Sequence, residues 1–153
     1  MSYGKATAAP SHITDLIFIG SRRHAANLTA DNPSAINAVL NVGSGRYARA
    51  DSIEYKHVPL PDAGPIPPGD LTACISFIRT HVDQGRRILV HCNAGRNRSP
   101  AIAIGYLLAT GQSADWNDAF HFVKSKRECV GVRVAIRESV LSALGEPTNS
   151  IRT

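Results

Sequence analysis

Cys92 and Arg98 stand six positions apart in a polar stretch of the chain, and both residue types suit chemistry at phosphorus. A cysteine thiolate is a nucleophile that can form a covalent intermediate. A guanidinium presents a planar fork of donors that fits two oxygens of one phosphate group. Gly95, between them, allows a loop to curl with its N–H groups pointing inward. These residue types in one stretch indicate chemistry on a phosphate group.

The segments on either side of this stretch predict where the loop lies in the fold. Residues 88–90 are β-branched or aliphatic, so they predict a short buried strand that ends at His91 and Cys92. From Pro100 an apolar run predicts a buried helix, since proline is tolerated in a first turn. A loop that leads into a helix N-terminus offers unpaired N–H groups and the positive end of the helix dipole. With the neighbouring arginines, these features predict a thiol pKa below the ordinary value of about 8.5.

The order His91, Cys92, five residues, Arg98 and Ser99 resembles the cysteine-dependent protein tyrosine phosphatase superfamily. With Ala-Gly among the five residues, the stretch is most similar to the small dual-specificity phosphatases. The resemblance implies hydrolysis of phosphotyrosine and phosphoserine or phosphothreonine through a cysteinyl-phosphate intermediate, with no metal or cofactor. The low-molecular-weight tyrosine phosphatases share the spacing, but their cysteine loop lies near the chain start, so the order of the motifs argues against them.

The resemblance also implies a role for each residue of the motif. Cys92 is the nucleophile, Arg98 holds phosphate oxygens, and Ser99 eases departure of the cysteine, caps the helix, or does both. His91 orients the loop, and Asn41 either helps to hold the loop or forms a strand-end turn. The residues expected to bind phosphate mainly through backbone N–H groups, besides Arg98, are Asn93, Ala94, Gly95, Arg96 and Asn97.

A second catalytic group is needed, because expulsion of an alkoxide or phenolate requires a proton donor that later acts as a base. Asp62 lies thirty positions before Cys92, in a proline-rich loop that follows a strand predicted at residues 54–59. This context resembles the family's Tyr, Pro-Leu and Asp segment that leads to its general acid. Asp70 and Asp51 are the competitors, but Asp70 is predicted as a helix cap and Asp51 precedes the strand.

Strands and helices interleave along the chain, which predicts an α/β fold with a central, mostly parallel sheet flanked by helices on both faces, as in dual-specificity phosphatases. Such folds place their ligand loops at the carboxyl ends of strands. Predicted strands cover residues 13–21, 38–43, 54–59 and 88–91. Predicted helices run from Asp70 to Gly85 and from Pro100 to Leu108, and cover residues 114–126 and 135–144, with a short helix and loop at 25–35.

Length and composition indicate one soluble globular domain. The 153 residues are 43% hydrophobic and 19% charged, with no apolar run long enough to cross a bilayer and no signal-peptide apolar region. We expect a phosphatase catalytic domain over residues 13–145, a flexible N-terminus over 1–12 and a flexible tail over 146–153. Three cysteines without a close pair favour a reducing compartment, the cytoplasm or the nucleus.

The segment that follows the predicted helix over 114–126 differs in sequence from the pattern common in the family. Arg127 resembles an arginine that is usually structural in relatives. Residues 128–133 lack the Pro-Asn pair that commonly follows it, which leaves open the path into the last helix.

The net charge of +5 is dispersed along the chain, so we expect no nucleic-acid partner. The resemblance implies a phosphorylated protein as the substrate, and we expect a monomer. Two alternatives stay open. A phospholipid or phosphoinositide phosphatase of the same superfamily is one, because Arg96 adds charge that fits an anionic lipid. A phospho-binding pseudophosphatase is the other, although it would be expected to lack Cys92, Arg98 or Asp62, and all three are present.

Overall fold

The fold is seen in a computed structural model that describes residues 9–146. In this part of the chain the strands are β1 (Ser11–His12), β2 (Ile17–Gly20), β3 (Ala38–Asn41), β4 (Glu54–His57) and β5 (Ile88–His91). The α-helices are α1 (Arg22–Ala26), α2 (Pro68–Asp83), α3 (Arg98–Ala109), α4 (Trp116–Lys126) and α5 (Val134–Ala143). A 3-10 turn at Asn27–Thr29 follows α1 directly.

Strand β5 lies in the middle of the sheet, whose order is β1-β2-β5-β3-β4. It pairs in parallel with β2 on one side and with β3 on the other. The registers pair Gly20 and Asn41 with His91, so the carboxyl ends of three strands meet at one edge of the sheet. The loop that follows His91 is therefore placed where parallel sheets bind ligands.

Both faces of the sheet are covered, as predicted, but unequally. Ile88 and Val90 point into the larger core, which α2 to α5 cover, whereas Leu89 points into a smaller core closed by α1 and the chain around Ile36 and Ile53. Alternate residues of one strand thus enter different cores, which explains why β5 is apolar from Ile88 to Val90. The predicted fold class is confirmed.

The opening strand is much shorter than predicted. Residues 13–21 do not form one strand: β1 ends at His12, a turn intervenes, and β2 begins only at Ile17. The N–H groups of Ile13 and Thr14 both donate to the Ile17 carbonyl, at 2.9 and 3.2 Å, and the Thr14 hydroxyl accepts from the Ile17 N–H at 3.1 Å. This local bonding folds the chain back, so that β1 pairs with β2 in antiparallel.

Helix α2 begins two residues before Asp70. Pro67 is the N-cap residue, with extended backbone, and Pro68 opens the helix, where an N–H would have no intrahelical partner. Asp70 lies in the first turn, so the prediction that it caps the helix is wrong. The predicted stop is confirmed, because Gly85 follows the helix with a φ of 70°.

The three helices predicted after the phosphate-binding stretch are present. Pro100 lies in the first turn of α3, as predicted. Helix α4 starts at Trp116 rather than at 114, because the Asp115 carboxylate accepts from the Asp118 N–H at 2.9 Å and caps the helix there. Helix α5 starts at Val134, one residue before the predicted position.

Ser11 and His12, which fall in the segment over 1–12 that is predicted to be flexible, pair with β2. Residues 1–8 and 147–153, where the rest of the predicted flexible segments fall, lie outside the described residues. Across 9–146, the structure has no helix that combines the length and the apolar character required to cross a bilayer.

Candidate active site

Residues 92–98, which we call the phosphate loop, connect β5 to α3. Gly95 has a φ of 70°, a conformation that L side chains rarely adopt. A Cβ atom at this position would lie 2.5 Å from the Gly20 carbonyl oxygen at the end of β2. The loop can therefore curl tightly against the neighbouring strand only because this residue is glycine.

Cys92 lies at the base of this loop with only 2% of its surface exposed. Its Sγ atom is 3.2 Å from the hydroxyl of Ser99, which is fully buried in the first turn of α3. Burial alone raises the pKa of a thiol, but hydrogen bonds from the Ser99 hydroxyl and from the N–H groups of Ser99 and Gly95, with the charge of Arg98, outweigh it. The pKa of Cys92 is therefore held below its ordinary value, which favours the thiolate form over that of an ordinary cysteine.

Arg98 is buried, with 6% of its surface exposed, and it links the phosphate loop to the loop that carries Asp62. Its Nη1 donates to the Leu60 carbonyl at 3.1 Å. Its Nε lies 3.3 Å from Asp62 Oδ1, an ion pair without the alignment of a hydrogen bond. The guanidinium is thus held in place by two groups of the loop that carries Asp62, which preorganises it for an anion.

Asp62 is half exposed and is contacted by two other segments of the chain, the phosphate loop and the stretch that contains Arg133. The Asn97 side-chain N–H₂ donates to its backbone carbonyl at 2.6 Å and to Oδ1 at 3.2 Å. An Arg133 Nη2 lies 3.9 Å from Oδ2. Of the three carboxylates considered from the sequence, Asp62 lines the cleft with Cys92, whereas Asp70 lies in the first turn of α2.

A cleft of about 420 Å³ opens above Cys92. Gly131 and Arg133, which line it, were not predicted as site residues. They lie in the segment that departs from the family, and its path is fixed by a 2.8 Å hydrogen bond from the Gly131 N–H to the Arg96 carbonyl. That departure was the one sequence signal that could have pointed to them. The residues that line the cleft are Asp62, Cys92, Asn93, Ala94, Arg96, Asn97, Arg98, Gly131 and Arg133.

His91, which directly precedes Cys92 at the end of β5, is buried. Its Nδ1 is 3.0 Å from the Cys92 carbonyl and its Nε2 is 2.6 Å from the Tyr47 hydroxyl. Burial lowers the pKa of His91 to about 4, so the ring is neutral near pH 7. Tyr47 was missed from the sequence because it lies in an irregular stretch whose pattern gives no sign that it approaches β5.

Asn41 bonds to the turn that follows its own strand. Its side chain accepts from the Gly43 N–H at 2.9 Å and donates to the Gly45 carbonyl at 3.2 Å. Gly43 in turn packs against the backbone of Cys92 and Asn93, so closely that a Cβ atom would lie 3.1 Å from either. These contacts favour the turn-forming role of Asn41, with the phosphate loop held through the turn.

Arg127 clamps the phosphate loop from outside the cleft. Its Nε donates to the Gly95 carbonyl at 2.7 Å and its Nη2 to the Ala94 carbonyl at 3.1 Å. Its Nη1 donates to the Ser11 hydroxyl at 3.0 Å, which adds β1 to the same arrangement. Because two loop carbonyls are turned toward Arg127, the loop N–H groups are left to face an anion.

The other two cysteines differ from Cys92 in environment. Cys74 is buried in α2, and burial raises the pKa of its thiol to about 12. Cys129 is exposed, and its carbonyl accepts from the Arg96 Nε at 3.4 Å. All three cysteines are free thiols.

The chain is similar to known phosphatases in sequence and in fold. It matches the family model described as the dual specificity phosphatase catalytic domain over residues 17–143. It is 32% identical over 123 residues to dual specificity protein phosphatase 2 of Mus musculus, a match that covers 77% of this chain and 37% of that protein. The chain therefore spans about a third of the length of the curated relatives it matches.

Two solved structures share the fold at low sequence identity. The crystal structure of DUSP15 superposes with a TM-score of 0.81 at 20% identity and covers 95% of this chain and 93% of that one. The structure of PTPMT1 in complex with PI(5)P has a TM-score of 0.74 at 17% identity, over 93% of this chain and 97% of that one. The family match begins at the first residue of β2 and ends at the last residue of α5. The resemblance drawn from the sequence is confirmed: this chain belongs to the dual specificity phosphatase catalytic domain family.

Proposed function

We propose that this chain is a metal-independent phosphatase that hydrolyses phosphotyrosine and phosphoserine or phosphothreonine in proteins. One observation carries the proposal: the Cys92 thiol, with its lowered pKa, and the Asp62 carboxyl line one cleft and are linked through Arg98. Displacement at phosphorus requires a nucleophile and a proton donor on opposite sides of an anion-binding site.

In the first half of the proposed reaction, the Cys92 thiolate attacks phosphorus. A P–S bond forms while the P–O bond to the substrate breaks, and the leaving oxygen takes the proton of Asp62. Arg98 and the loop N–H groups balance the charge on the equatorial phosphate oxygens in the transition state.

In the second half, water attacks the phosphocysteine and the Asp62 carboxylate accepts a proton from the water. The P–S bond breaks and inorganic phosphate leaves. The Ser99 hydroxyl, 3.2 Å from Sγ, donates to the departing thiolate and stabilises it.

Phosphate release from phosphotyrosine, phosphoserine and phosphothreonine peptides, in excess chelator, tests the proposal. The wild type is expected to hydrolyse all three, and Cys92→Ser to lose at least about a thousandfold in rate. Cys92→Ser should still bind vanadate, because the backbone cradle and Arg98 are intact. Turnover near the wild-type rate in Cys92→Ser, or chelator inhibition reversed by zinc or magnesium, would contradict it.

A phosphoinositide phosphatase is the second candidate, and the arginines of the cleft favour it. Arg96 and Arg133 line the cleft beside Arg98, so three guanidinium groups accompany the single carboxylate of Asp62. A substrate with more than one anionic group would match this charge. PTPMT1, which shares the fold, has been crystallised with PI(5)P.

Matched assays on phosphoinositide vesicles and phosphopeptides separate the two candidates. If lipids are the substrates, Arg133→Ala should lower kcat/KM on vesicles by about tenfold while changing peptide hydrolysis little. Equal effects on both substrates would favour the protein phosphatase. Retention of Cys92, Arg98 and Asp62 argues against a phospho-binding pseudophosphatase.

A monomeric state and a cytoplasmic or nuclear location belong to the same proposal. The free thiols fit a reducing compartment. Size-exclusion chromatography with light scattering tests the first, and microscopy of the tagged full-length protein tests the second.

A further inference from the structure

Asn97 is the residue of the phosphate loop whose side chain bonds to two other segments. Its Nδ2 donates to the Asp62 carbonyl at 2.6 Å and to Asp62 Oδ1 at 3.2 Å. Its Oδ1 accepts from the Arg133 N–H at 2.9 Å. The residue is only 9% exposed although it lines the cleft. The sequence predicted that Asn97 binds an anion through its backbone N–H. That role does not require any of these side-chain bonds, so the side chain has a separate function to explain.

These bonds determine which oxygen of Asp62 can carry a proton. The Asn97 Nδ2 donates to Oδ1 at 3.2 Å and the Arg98 Nε lies 3.3 Å from the same oxygen, whereas the Arg133 Nη2 near Oδ2 is beyond hydrogen-bond distance at 3.9 Å. A protonated Oδ1 would direct a hydrogen at two donors, so the proton of the neutral carboxyl belongs on Oδ2. The bond from Asn97 to the Asp62 carbonyl holds the backbone of the Asp62 loop against the phosphate loop. The bond to Oδ1 fixes the rotation of the carboxyl group.

This control matters because the ion pairs with Arg98 Nε, at 3.3 Å, and Arg133 Nη2, at 3.9 Å, lack hydrogen-bond geometry and restrain Asp62 only weakly. Its side chain is 58% exposed, and an exposed carboxylate loses conformational entropy when it is held in one orientation. General acid catalysis depends on the position of the donor to within a fraction of an ångström. A rigid, buried amide on the phosphate loop is suited to supply that position.

We propose that Asn97 is a positioning residue for the general acid, which holds Asp62 over the phosphate loop with its proton on Oδ2 toward the leaving group. The inference rests on the proposed phosphatase function. It predicts that loss of the Asn97 amide weakens protonation of the leaving group and leaves attack by Cys92 intact.

A series of aryl phosphates with leaving groups of increasing basicity tests this inference, with kcat/KM as the readout. Asn97→Ala should lose about tenfold on phenyl phosphate and less than about threefold on p-nitrophenyl phosphate, because a good leaving group needs little protonation. Asn97→Asp should give the same pattern: it is isosteric and keeps the acceptor for the Arg133 N–H, but it replaces the donor to Asp62.

Asn32→Ala is the matched control. The Asn32 side chain also bonds to backbone, donating to the Ile36 carbonyl at 3.0 Å and accepting from the Ile36 N–H at 2.9 Å. It lies before β3, at the opposite edge of the sheet, so its removal should lower stability without changing the dependence on the leaving group. In the double variant Asp62→Asn with Asn97→Ala, kcat/KM should depend on the leaving group no more steeply than in Asp62→Asn alone. The reason is that the Asn97 amide is proposed to act through the Asp62 carboxyl.

Each outcome separates the inference from the function on which it rests. A loss of kcat/KM in Asn97→Ala and Asn97→Asp that is the same for all leaving groups would overturn the positioning role. The role would also be overturned if the losses of kcat/KM in the two single variants added fully in the double variant. If Asp62→Asn itself leaves the dependence on the leaving group unchanged, the acid step of the proposed function fails, and the role of Asn97 fails with it.

Discussion

The Tyr47 hydroxyl lies 2.6 Å from Nε2 of His91, and this contact fixes the tautomer of the buried ring that directly precedes Cys92. The Nδ1 of His91 faces the Cys92 carbonyl at 3.0 Å, and a carbonyl can only accept. Nδ1 therefore carries the hydrogen, and Nε2 accepts from Tyr47. The chain of bonds from Tyr47 through His91 orients the peptide group at the start of the phosphate loop.

This arrangement predicts a loss of stability in mild acid. His91 has a pKa lowered to about 4 in the folded state, chiefly by burial, against about 6.5 in the unfolded chain. Between these values the unfolded state binds the proton and the folded state does not, so the free energy of unfolding falls as pH falls through the window. At pH 4.5 the contribution lost is roughly 2 to 3 kcal/mol.

Urea denaturation at pH 7 and pH 4.5 measures this loss against His91→Asn. The asparagine amide retains a donor for the Cys92 carbonyl but does not titrate in this range. The wild type is expected to lose roughly 2 to 3 kcal/mol more than the variant on acidification. An equal loss in both proteins would show that other groups cause the acid sensitivity.

The Arg127 clamp predicts that a lysine cannot replace this arginine. One ammonium cannot reach Gly95, Ala94 and Ser11 together with the geometry of a guanidinium. Loss of one or two charged hydrogen bonds to the loop should lower kcat/KM for p-nitrophenyl phosphate by about tenfold and weaken inhibition by vanadate. Arg137→Lys is the control, because that side chain pairs only loosely with its neighbour, at 3.9 Å. Unchanged vanadate inhibition in Arg127→Lys would contradict the clamp.

The central strand and the helix after it could be predicted because their causes are local. Residues 88–90 are apolar without alternation, and Pro100 permits a helix start, so the position of Cys92 between them follows from the sequence. The length of the opening strand could not be predicted in the same way. It depends on the Thr14 hydroxyl, which bonds the Ile17 N–H in preference to extending the strand.

The contacts that complete the site depend on residues far apart in sequence. Asn97 bonds to Asp62 across 35 positions, and Tyr47 bonds to His91 across 44. No periodicity encodes such side-chain contacts, because they arise only once strands are placed side by side. These two contacts could therefore be identified only from the structure.

The lowered pKa of Cys92 predicts selective modification of this cysteine at pH 6. More of Cys92 is thiolate at this pH than of an ordinary cysteine, whereas Cys74 has a pKa raised to about 12 and stays unreactive. Iodoacetamide at pH 6, followed by peptide mass spectrometry, is expected to label Cys92 and inactivate the protein. Ser99→Ala should slow this labelling, since the hydroxyl helps to hold the thiolate. Labelling of Cys74 ahead of Cys92 would contradict the assignment.

The proposed role of Asp62 as the general acid predicts that the cost of losing its carboxyl depends on the substrate. A serine alkoxide is a poor leaving group and needs a proton in the transition state, whereas p-nitrophenolate leaves readily without one. Asp62→Asn, which keeps the shape of the side chain, should slow a phosphoserine peptide by about a hundredfold or more and p-nitrophenyl phosphate by less than about tenfold.

The same measurements test the breadth of the cleft. An open cleft around Cys92, lined by polar loops, should admit phosphotyrosine as well as the shorter phosphoserine, since a tolerant pocket gives up discrimination between side chains. The wild type should therefore hydrolyse both peptides, and Asp62→Asn should affect phosphotyrosine less than phosphoserine, because a phenolate leaves more readily than an alkoxide. Equal losses on all substrates would reject Asp62 as the acid. Wild-type activity confined to phosphotyrosine would instead contradict a tolerant cleft. It would not contradict the role of Asp62, because the depth of the pocket, and not protonation of the leaving group, would then decide which ester reaches Cys92.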